Sequence, residues 1–589
     1  MKLSEKNEIQ KAIRNAEKLL ENRIEIMKLP PEQAVGKILN FPQPAALVHS
    51  FPEQDFYFLV QDIGPEDSLS ILALASNRQW EYILDMEIWH RDRVAMESAT
   101  RWLDLLLKAD PRRMIRWCLE DKLYFIEYYL FKSLDIVYLE QDGDPSDLDD
   151  DFFSVDDAIY VRVKDNLQEP DSESGEIFRQ TRRRFLTNFI RFLAEHDFVK
   201  YQQVLLEAMH VLPAEAEEKD YRLRNVRLAE KSFLPFEDAV GIYQALTADQ
   251  VEKMRKRLNR EALDPDERKL QKFRTPHMPF ELVDDPGTFS QALRKVSFQE
   301  IMPLLQTELA SLCNQIISAD QKVIRNRDQL GKIVSKACGY LNIGLDQLAQ
   351  RKNNTASEFF ASLLHRYPLL WIFKVGYGEA LSLKWKTDRW YSESWFNRMG
   401  LPLTFWDENR LGVLGGLLLK KPLFFDNYKT GVIYREFAST RDIEKTASVL
   451  DEVIAVDQLL SLITLPKFDI TSQRLLTYKN LLLTLWARNY IGLTHILAPI
   501  EMQDFGPFFD DLFGRETESG SRDCKMTSVE MKTSFLNWLS HQTGLATYEI
   551  SERAGETLES LFAEIENEYG GVSRSDLDPR FVNLFLLER

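Results

Sequence analysis

Cysteine is scarce in this chain of 589 residues: Cys118, Cys313, Cys338 and Cys524 stand far apart, and no CxxC pair is present to nucleate a zinc site or a redox dithiol. Cys118 and Cys313 fall in apolar helical stretches, where a free thiol behaves as a small hydrophobe. Reduced structural cysteines of this kind point to a cytoplasmic chain. Long uncharged apolar runs are also missing. Leu481 to Ile500 comes nearest, but Arg488, Asn489 and His495 interrupt it, and a lipid-facing helix would bear a heavy cost for them. The opening Met1-Lys2-Leu3-Ser4-Glu5-Lys6 runs into a charged amphipathic stretch without the apolar core of a secretory signal.

Local signatures of catalysis are absent as well. None of the eight histidines falls in HExxH or HxxxH spacing, and no GxSxG elbow precedes a candidate helix. Gly412, Gly415 and Gly416 precede Lys420 and Lys421 but miss the P-loop spacing, and no hydroxyl follows the lysines. Gly376 and Gly378 lack the third glycine of a dinucleotide fingerprint. Both groups read as turns. No catalytic residue, cofactor or metal ligand is assigned from the sequence.

What is present is a large apolar inventory. Hydrophobic content of 44% and aromatic content of 11% suffice for well-packed cores, and the length calls for more than one domain. The net charge of −18 is concentrated: residues 140–176 hold fourteen acidic and two basic side chains, a local balance of −12. The rest is only mildly acidic, which argues against nucleic acid as a partner.

The expected fold is predominantly α. Residues 1–138 read as short stacked helices forming a helical-repeat superhelix. Pro31-Glu32-Gln33-Ala34, Pro52-Glu53-Gln54-Asp55 and Pro65-Glu66-Asp67 each place a proline and an acid where a helix begins, with apolar residues one or two turns later. Helices this short bury their apolar faces only by stacking. Residues 139–177 form an acidic insertion, and Asp135–Leu139 with Ala158–Val163, rich in β-branched and aromatic residues, are expected to pair as a small hairpin near 135–165. Helix resumes over 178–263, where Phe185, Phe189, Ile190, Phe192 and Leu193 mark one face. The proline-rich segment 264–287 reads as a linker to a C-terminal helical domain, 288–589, rich in aromatics. There Leu305, Leu309, Leu312 and Ile316 recur at helical spacing, as do Ile443, Ala447, Leu450 and Ile454 behind a Ser439 cap with Asp442.

The proline–acid phrases of residues 25–90 resemble the cytosolic N-terminal superhelical domain of bacterial magnesium transporters, and more distantly the helical repeats of a flagellar switch protein. The transporter's regulatory module and membrane domain have no counterpart here, so its function does not carry over. Leu234-Pro235-Phe236-Glu237-Asp238-Ala239…Tyr243, Asn314-Gln315…Ala319-Asp320 and Gly339-Tyr340-Leu341-Asn342-Ile343-Gly344-Leu345 are similar to phrases of an uncharacterised bacterial family over most of the chain. That resemblance implies a bacterial source and no assigned activity.

Three constellations bear on function. Asp142, Asp144, Ser146, Asp147, Asp149, Asp150 and Asp151 crowd oxygen ligands together. However, Asp147 stands where an EF-hand needs glycine and Phe153 where it needs a bidentate glutamate, so a solvated loop is favoured over a metal site. The basic tracts Arg182-Arg183-Arg184 and Lys253–Arg257 are answered by nearby acids and read as exposed helical faces. Between Trp371 and Trp406 lie five of the eleven tryptophans, interleaved with basic residues. That mixture fits either a dense helical core with charges at its rim or a partner surface, for which Trp385, Trp390, Trp395 and Arg389 are the candidates. The reading therefore favours a cytoplasmic scaffold that binds another protein, with no membrane span. The competing reading is an enzyme whose site is assembled from distant segments of a helical scaffold.

Overall fold

Each proline–acid phrase opens a helix. In the computed structural model α1 (Leu3–Lys28) is followed by α2 (Pro31–Leu39), α3 (Pro44–Ser50), α4 (Glu53–Ile63), α5 (Leu69–Leu74) and α6 (Asn77–Glu87). Pro31 and Pro44 occupy first helical positions, where the missing amide proton costs nothing. Ser76 and Gln79 close a reciprocal capping box on α6. After the short pair β1 (Trp89–His90) and β2 (Arg93–Val94) come α7 (Met96–Ala109), α8 (Pro111–Asp121) and α9 (Leu123–Ser133). The structure describes residues 3–140, 144–164, 173–254, 275–284, 286–296, 301–354, 356–463, 476–513 and 525–588. Half of the proposed linker 264–287 lies outside these residues, as do Asp142, Cys524 and Arg255–Arg257.

The described residues divide into two compact units, 1–374 and 375–589. In the first, helices pack on the next but one as well as on the next: α1 on α3, α3 on α5, α5 on α7, and α2 on α4, α4 on α6. Two layers result. α4 is the most enclosed helix of this unit, with eight of its eleven residues buried, Phe56 to Val60 consecutively. Burying each such large side chain contributes about 1.5–3 kcal/mol, so α4 anchors this stack.

The expected hairpin forms. β3 (Leu134–Tyr138) pairs antiparallel with β5 (Ile159–Val163), from Leu134 opposite Val163 to Tyr138 opposite Ile159, and β4 (Phe153–Ser154) adds a third strand on β5. Helix then resumes in α10 (Glu173–His196), α11 (Phe198–Ala208), α12 (Pro213–Ala229), α13 (Phe236–Ala239) and α14 (Ala248–Lys253). Phe185, Phe189, Ile190 and Leu193 are buried as their spacing predicts, whereas Phe192 reaches solvent. The unit continues through α15 (Met278–Glu281), α16 (Thr288–Lys295), α17 (Met302–Ala319), α18 (Arg327–Gln350) and α19 (Ser357–Arg366). Leu305, Leu309, Leu312 and Ile316 all face its core.

α20 (Leu369–Glu393) crosses the division, and the second unit adds α21 (Trp395–Arg398), α22 (Glu408–Leu417), the pair β6 (Phe424–Phe425) and β7 (Tyr434–Arg435), and α23 (Thr440–Leu462). Ser439 caps α23 by accepting the Asp442 amide. Then follow α24 (Tyr478–Tyr490), β8 (Ile500–Glu501), α25 (Met502–Leu512), α26 (Val529–Thr543), α27 (Thr547–Tyr569) and β9 (Leu587–Glu588), which pairs parallel with β8. Trp486 of α24 sits at the centre of this core, its ring 5.0–6.2 Å from those of Phe508, Phe535 and Phe562.

The glycine groups are not turns: Gly376 and Gly378 lie inside α20, and Gly412, Gly415 and Gly416 inside α22. The reason for the second group is close packing. A Cβ on Gly412 would lie 2.4 Å from the Phe425 ring, and one on Gly416 2.4 Å from the Leu423 carbonyl. Glycine lets the β6–β7 pair lie directly on α22. No helix among the described residues is long and apolar enough to cross a membrane. The stretch after Leu481 breaks at Tyr490, and Arg488 donates to the carbonyls of Thr494, Ala498 and Pro499.

Candidate functional site

The tryptophan-rich region separates into an inner and an outer part. Trp390 and Trp395 are buried, and Trp390 stacks on Phe396 with ring centroids 6.2 Å apart. Trp406 and Phe405 complete the cluster, with Trp406 5.6 Å from Phe396. Its hub is Asp457 on α23, whose carboxylate accepts the Trp390 indole N–H at 3.2 Å and the backbone N–H groups of Trp395 and Phe396 at 3.3 and 2.8 Å. It thereby caps the first turn of α21, where amides have no helical partner. Burial pushes the Asp457 carboxyl above its ordinary value, although those donors and Arg398 pull the other way. Trp385 and Arg389 stand on the exposed side of α20, with Trp385 55% exposed. Of the four candidates, the fold thus brings Trp390 and Trp395 together in the core and leaves Trp385 and Arg389 at the surface.

A second polar network lies under α22. Asp407 caps that helix by accepting the Arg410 amide at 2.9 Å. The nearly buried Arg410 guanidinium donates to Tyr478 at 2.9 Å, Glu452 at 2.6 Å and Thr557 at 3.2 Å. Tyr478 in turn donates to Asp407 at 3.1 Å. Burial alone pushes Asp407 up, but Arg410, its amide, Lys479 and Tyr478 prevail and hold it below the usual carboxylate value. Each charge is answered within the network, which ties α22, α23, α24 and α27 together.

In the first unit α4 carries a third set. Gln54 bonds with Asn314, Tyr57 donates to Glu87 at 2.6 Å and to the Ile324 carbonyl at 3.2 Å, and Asp62 pairs with Arg327. Asp55 accepts the backbone N–H groups of His277 and Met278 at 2.9 and 3.1 Å. Burial drives its carboxyl up. A carboxylate beside a histidine is a combination enzymes use, but here both oxygens are taken by amides and the side chain is 4% exposed, so no substrate has access.

Two hollows among the described residues are lined by polar side chains. A shallow groove of about 660 Å³ runs along α26, with Asn489, Ser534, Asn537, Trp538 and His541 on its walls. Ser534 and His541 are two helical turns apart, roughly 10 Å of rise, too far for a nucleophile and its base. The other hollow, about 440 Å³, lies between β5 and α10 beside Arg162, Arg179, Arg183, Asp151 and Glu176. Arg162 there pairs with Asp149 of the acidic segment and with Asp135 of β3. Among the described residues no group of three or more His, Cys, Asp or Glu side chains is placed to hold a metal ion.

One surface feature escapes sequence reading. Val199, Leu206 and Met209 recur at seven and three residues along α11 and its cap, which puts them on one face, and all are exposed. Exposed Phe192 lies near the end of α10, exposed Phe198 opens α11, and exposed Leu212 follows Met209 by three residues. α12 adds exposed Leu223 and Val226. The inner face of α11 buries Tyr201, Val204, Leu205 and Ala208. The helix is apolar on two sides, and a search for one hydrophobic stripe finds only the inner one.

The family model described as "Family of unknown function (DUF6178)" matches residues 11–588, and the chain belongs to that family. No curated protein and no solved structure matches it. The resemblance of residues 25–90 to magnesium transporters finds no support in these comparisons.

Proposed function

We propose that this member of the family is a cytoplasmic helical scaffold that binds another protein. The observation that carries the reading is the exposed apolar stripe Val199, Leu206, Met209 on α11, continued by Leu212. Exposed apolar side chains scattered singly are ordinary, whereas several gathered on one helix face, here with Gln202 and Gln203 between Val199 and Leu206, support a surface that another molecule covers. The alternating packing of α1 to α7 supports a superhelical stack as the frame that presents it. Cys118 and Cys313, buried as free thiols, suit a reducing compartment. The polar networks support a scaffold rather than a reaction centre: their carboxylates are engaged at helix starts and helix junctions. Trp385 and Arg389 offer a second contact zone on the other unit.

The test is site-specific photo-crosslinking in the native host, with the reactive residue placed in turn at Leu206, Trp385 and Lys332. Crosslinks to one discrete protein from Leu206, and none from Lys332, are the expected outcome. A lack of protein crosslinks at Leu206, or equal yields at all three positions, contradicts the reading.

A further inference from the structure

The loop that joins β6 to β7 is built against the backbone preference of its own residues. Asn427 and Tyr428 both have positive φ, 48° and 59°, and the Lys429 amide donates across them to the Asp426 carbonyl at 3.2 Å. That is the pattern of a type I′ turn, whose second central position asks for glycine. A tyrosine there bears the clash of its Cβ with the backbone. It gains no burial in return, because the residue is 64% exposed. Val432 and Ile433 on the returning side of the loop are exposed as well, and so is Leu419 before β6.

Asp426 holds the loop in this shape. Its buried carboxylate accepts the Thr430 amide at 2.6 Å, the Thr430 hydroxyl at 2.8 Å and Arg435 Nε at 2.8 Å. Arg435 is fixed in turn by Asp442. The other amides close on the loop itself: Asp426 and Asn427 donate to the Ile433 carbonyl, Tyr428 to that of Val432, and Gly431 to that of Tyr428. All six amides of residues 426–431 are therefore bonded inside the loop. Beneath it, β6 and β7 lie on the glycines of α22. Strain held this firmly, at a residue turned to solvent, points to a use outside the fold.

Charge narrows that use. Asp426 is the one acid in residues 419–433, and it is ion-paired with Arg435. The basic residues Lys420, Lys421 and Lys429 therefore set the sign of this surface, and Lys420 and Lys429 are exposed. A partner that added a strand would need free amides, and those of the loop are taken. The headgroup layer of a bilayer needs none. Apolar side chains enter it, a tyrosine sits at its boundary, and lysines meet its anionic groups. No amide of residues 426–431 has to leave water without a partner. At physiological salt, charges farther off than about 8 Å are screened. The lysines at the tip thus count for more than the −18 of the whole chain.

We propose that the β6–β7 tip, residues 427–433 with 419–421, is an interfacial anchor that docks the protein on an anionic bilayer surface. It rests in the headgroup layer and spans nothing. The anchor does not depend on the α11 reading, and either can fail without the other.

Flotation of the full chain with vesicles of phosphatidylglycerol and phosphatidylethanolamine, beside vesicles of phosphatidylcholine, tests this. The wild type is expected to bind the anionic vesicles at least about tenfold more tightly, and to lose most of that binding at about 0.5 M salt. Tyr428→Gly relieves the turn, so its unfolding midpoint is expected to equal or exceed that of the wild type, while its vesicle affinity falls at least about fivefold. Lys420→Gln/Lys429→Gln is expected to fall by at least a similar factor. Val199→Asp/Leu206→Asp, on α11, is expected to bind vesicles as the wild type does. Flotation that is absent, that is equal on phosphatidylcholine, or that survives in either tip variant overturns the inference. So does a wild type that ignores vesicles but holds a protein which the tip variants lose, because the tip would then serve a partner chain.

Discussion

The carboxylate of Asp55 accepts the backbone N–H of His277 at 2.9 Å, across 222 residues of chain. Asp55 opens α4 in a proline–acid phrase, where an acid is normally explained by the positive end of its own helix. Its partner is instead a different helix start: with Met278, His277 begins α15, and Asp55 satisfies both of those amides. The same turn of α4 bonds Asn314 through Gln54 and pairs with Lys231 through Glu53. α4 is therefore the seam on which the later helices of the first unit close.

Asp55→Ala leaves two amides without an acceptor in a buried site. The expected loss is about 2–4 kcal/mol, read by urea unfolding, since each buried unsatisfied group costs about 1–3 kcal/mol. A loss below about 1 kcal/mol would show that the seam does not depend on this carboxylate.

Two glycines of α18 make an internal comparison. A Cβ on Gly344 would lie 2.0 Å from the Ile372 carbonyl oxygen, whereas one on Gly331 meets nothing within 4 Å. Gly344→Ala is expected to destabilise by about 1–3 kcal/mol or more through overpacking. Gly331→Ala is expected to stabilise by about 0.4–1 kcal/mol through helix propensity and a less free unfolded chain. Thermal unfolding of the two variants side by side reads both signs.

The tryptophans of α20 divide in the same way. Trp390→Ala empties a buried, hydrogen-bonded position and is expected to cost about 3–5 kcal/mol. Trp385→Ala, at a 55% exposed position, is expected to stay within about 0.5 kcal/mol. Chemical denaturation followed by fluorescence separates them.

Acid stability follows from Asp407. Its folded-state carboxyl is held below the ordinary value of 3.8, so it contributes stability above that value and loses it as pH falls through the depressed one. The unfolding midpoint of the wild type is expected to fall below about pH 4. Asp407→Asn is expected to be less stable at neutral pH and to fall less steeply. Parallel curves would remove Asp407 from the acid response.

Much of the architecture was legible because helix starts are local. Pro31, the Pro52–Glu53 step and Ser439 mark their helices through chemistry within four residues, and the β3–β5 pair announces itself by composition. The glycines of α22 were misread because their purpose is not local: Phe425 and Leu423 lie against them only after the chain has folded back. For the same reason the tryptophan cluster did not reveal which members face inwards. That is decided by Asp457, some sixty residues away. The exposed apolar residues of α11 escaped because the helix carries apolar side chains on its buried face as well.

The scaffold reading is tested most directly by native mass spectrometry of the chain purified gently from its own host, beside a Val199→Asp/Leu206→Asp variant. Both positions are exposed, so the variant is expected to fold with an unchanged unfolding midpoint. The account predicts a stoichiometric second protein on the wild type that is lost from the variant. A lone chain bearing a small-molecule or metal adduct, or a partner that the variant retains, would contradict it.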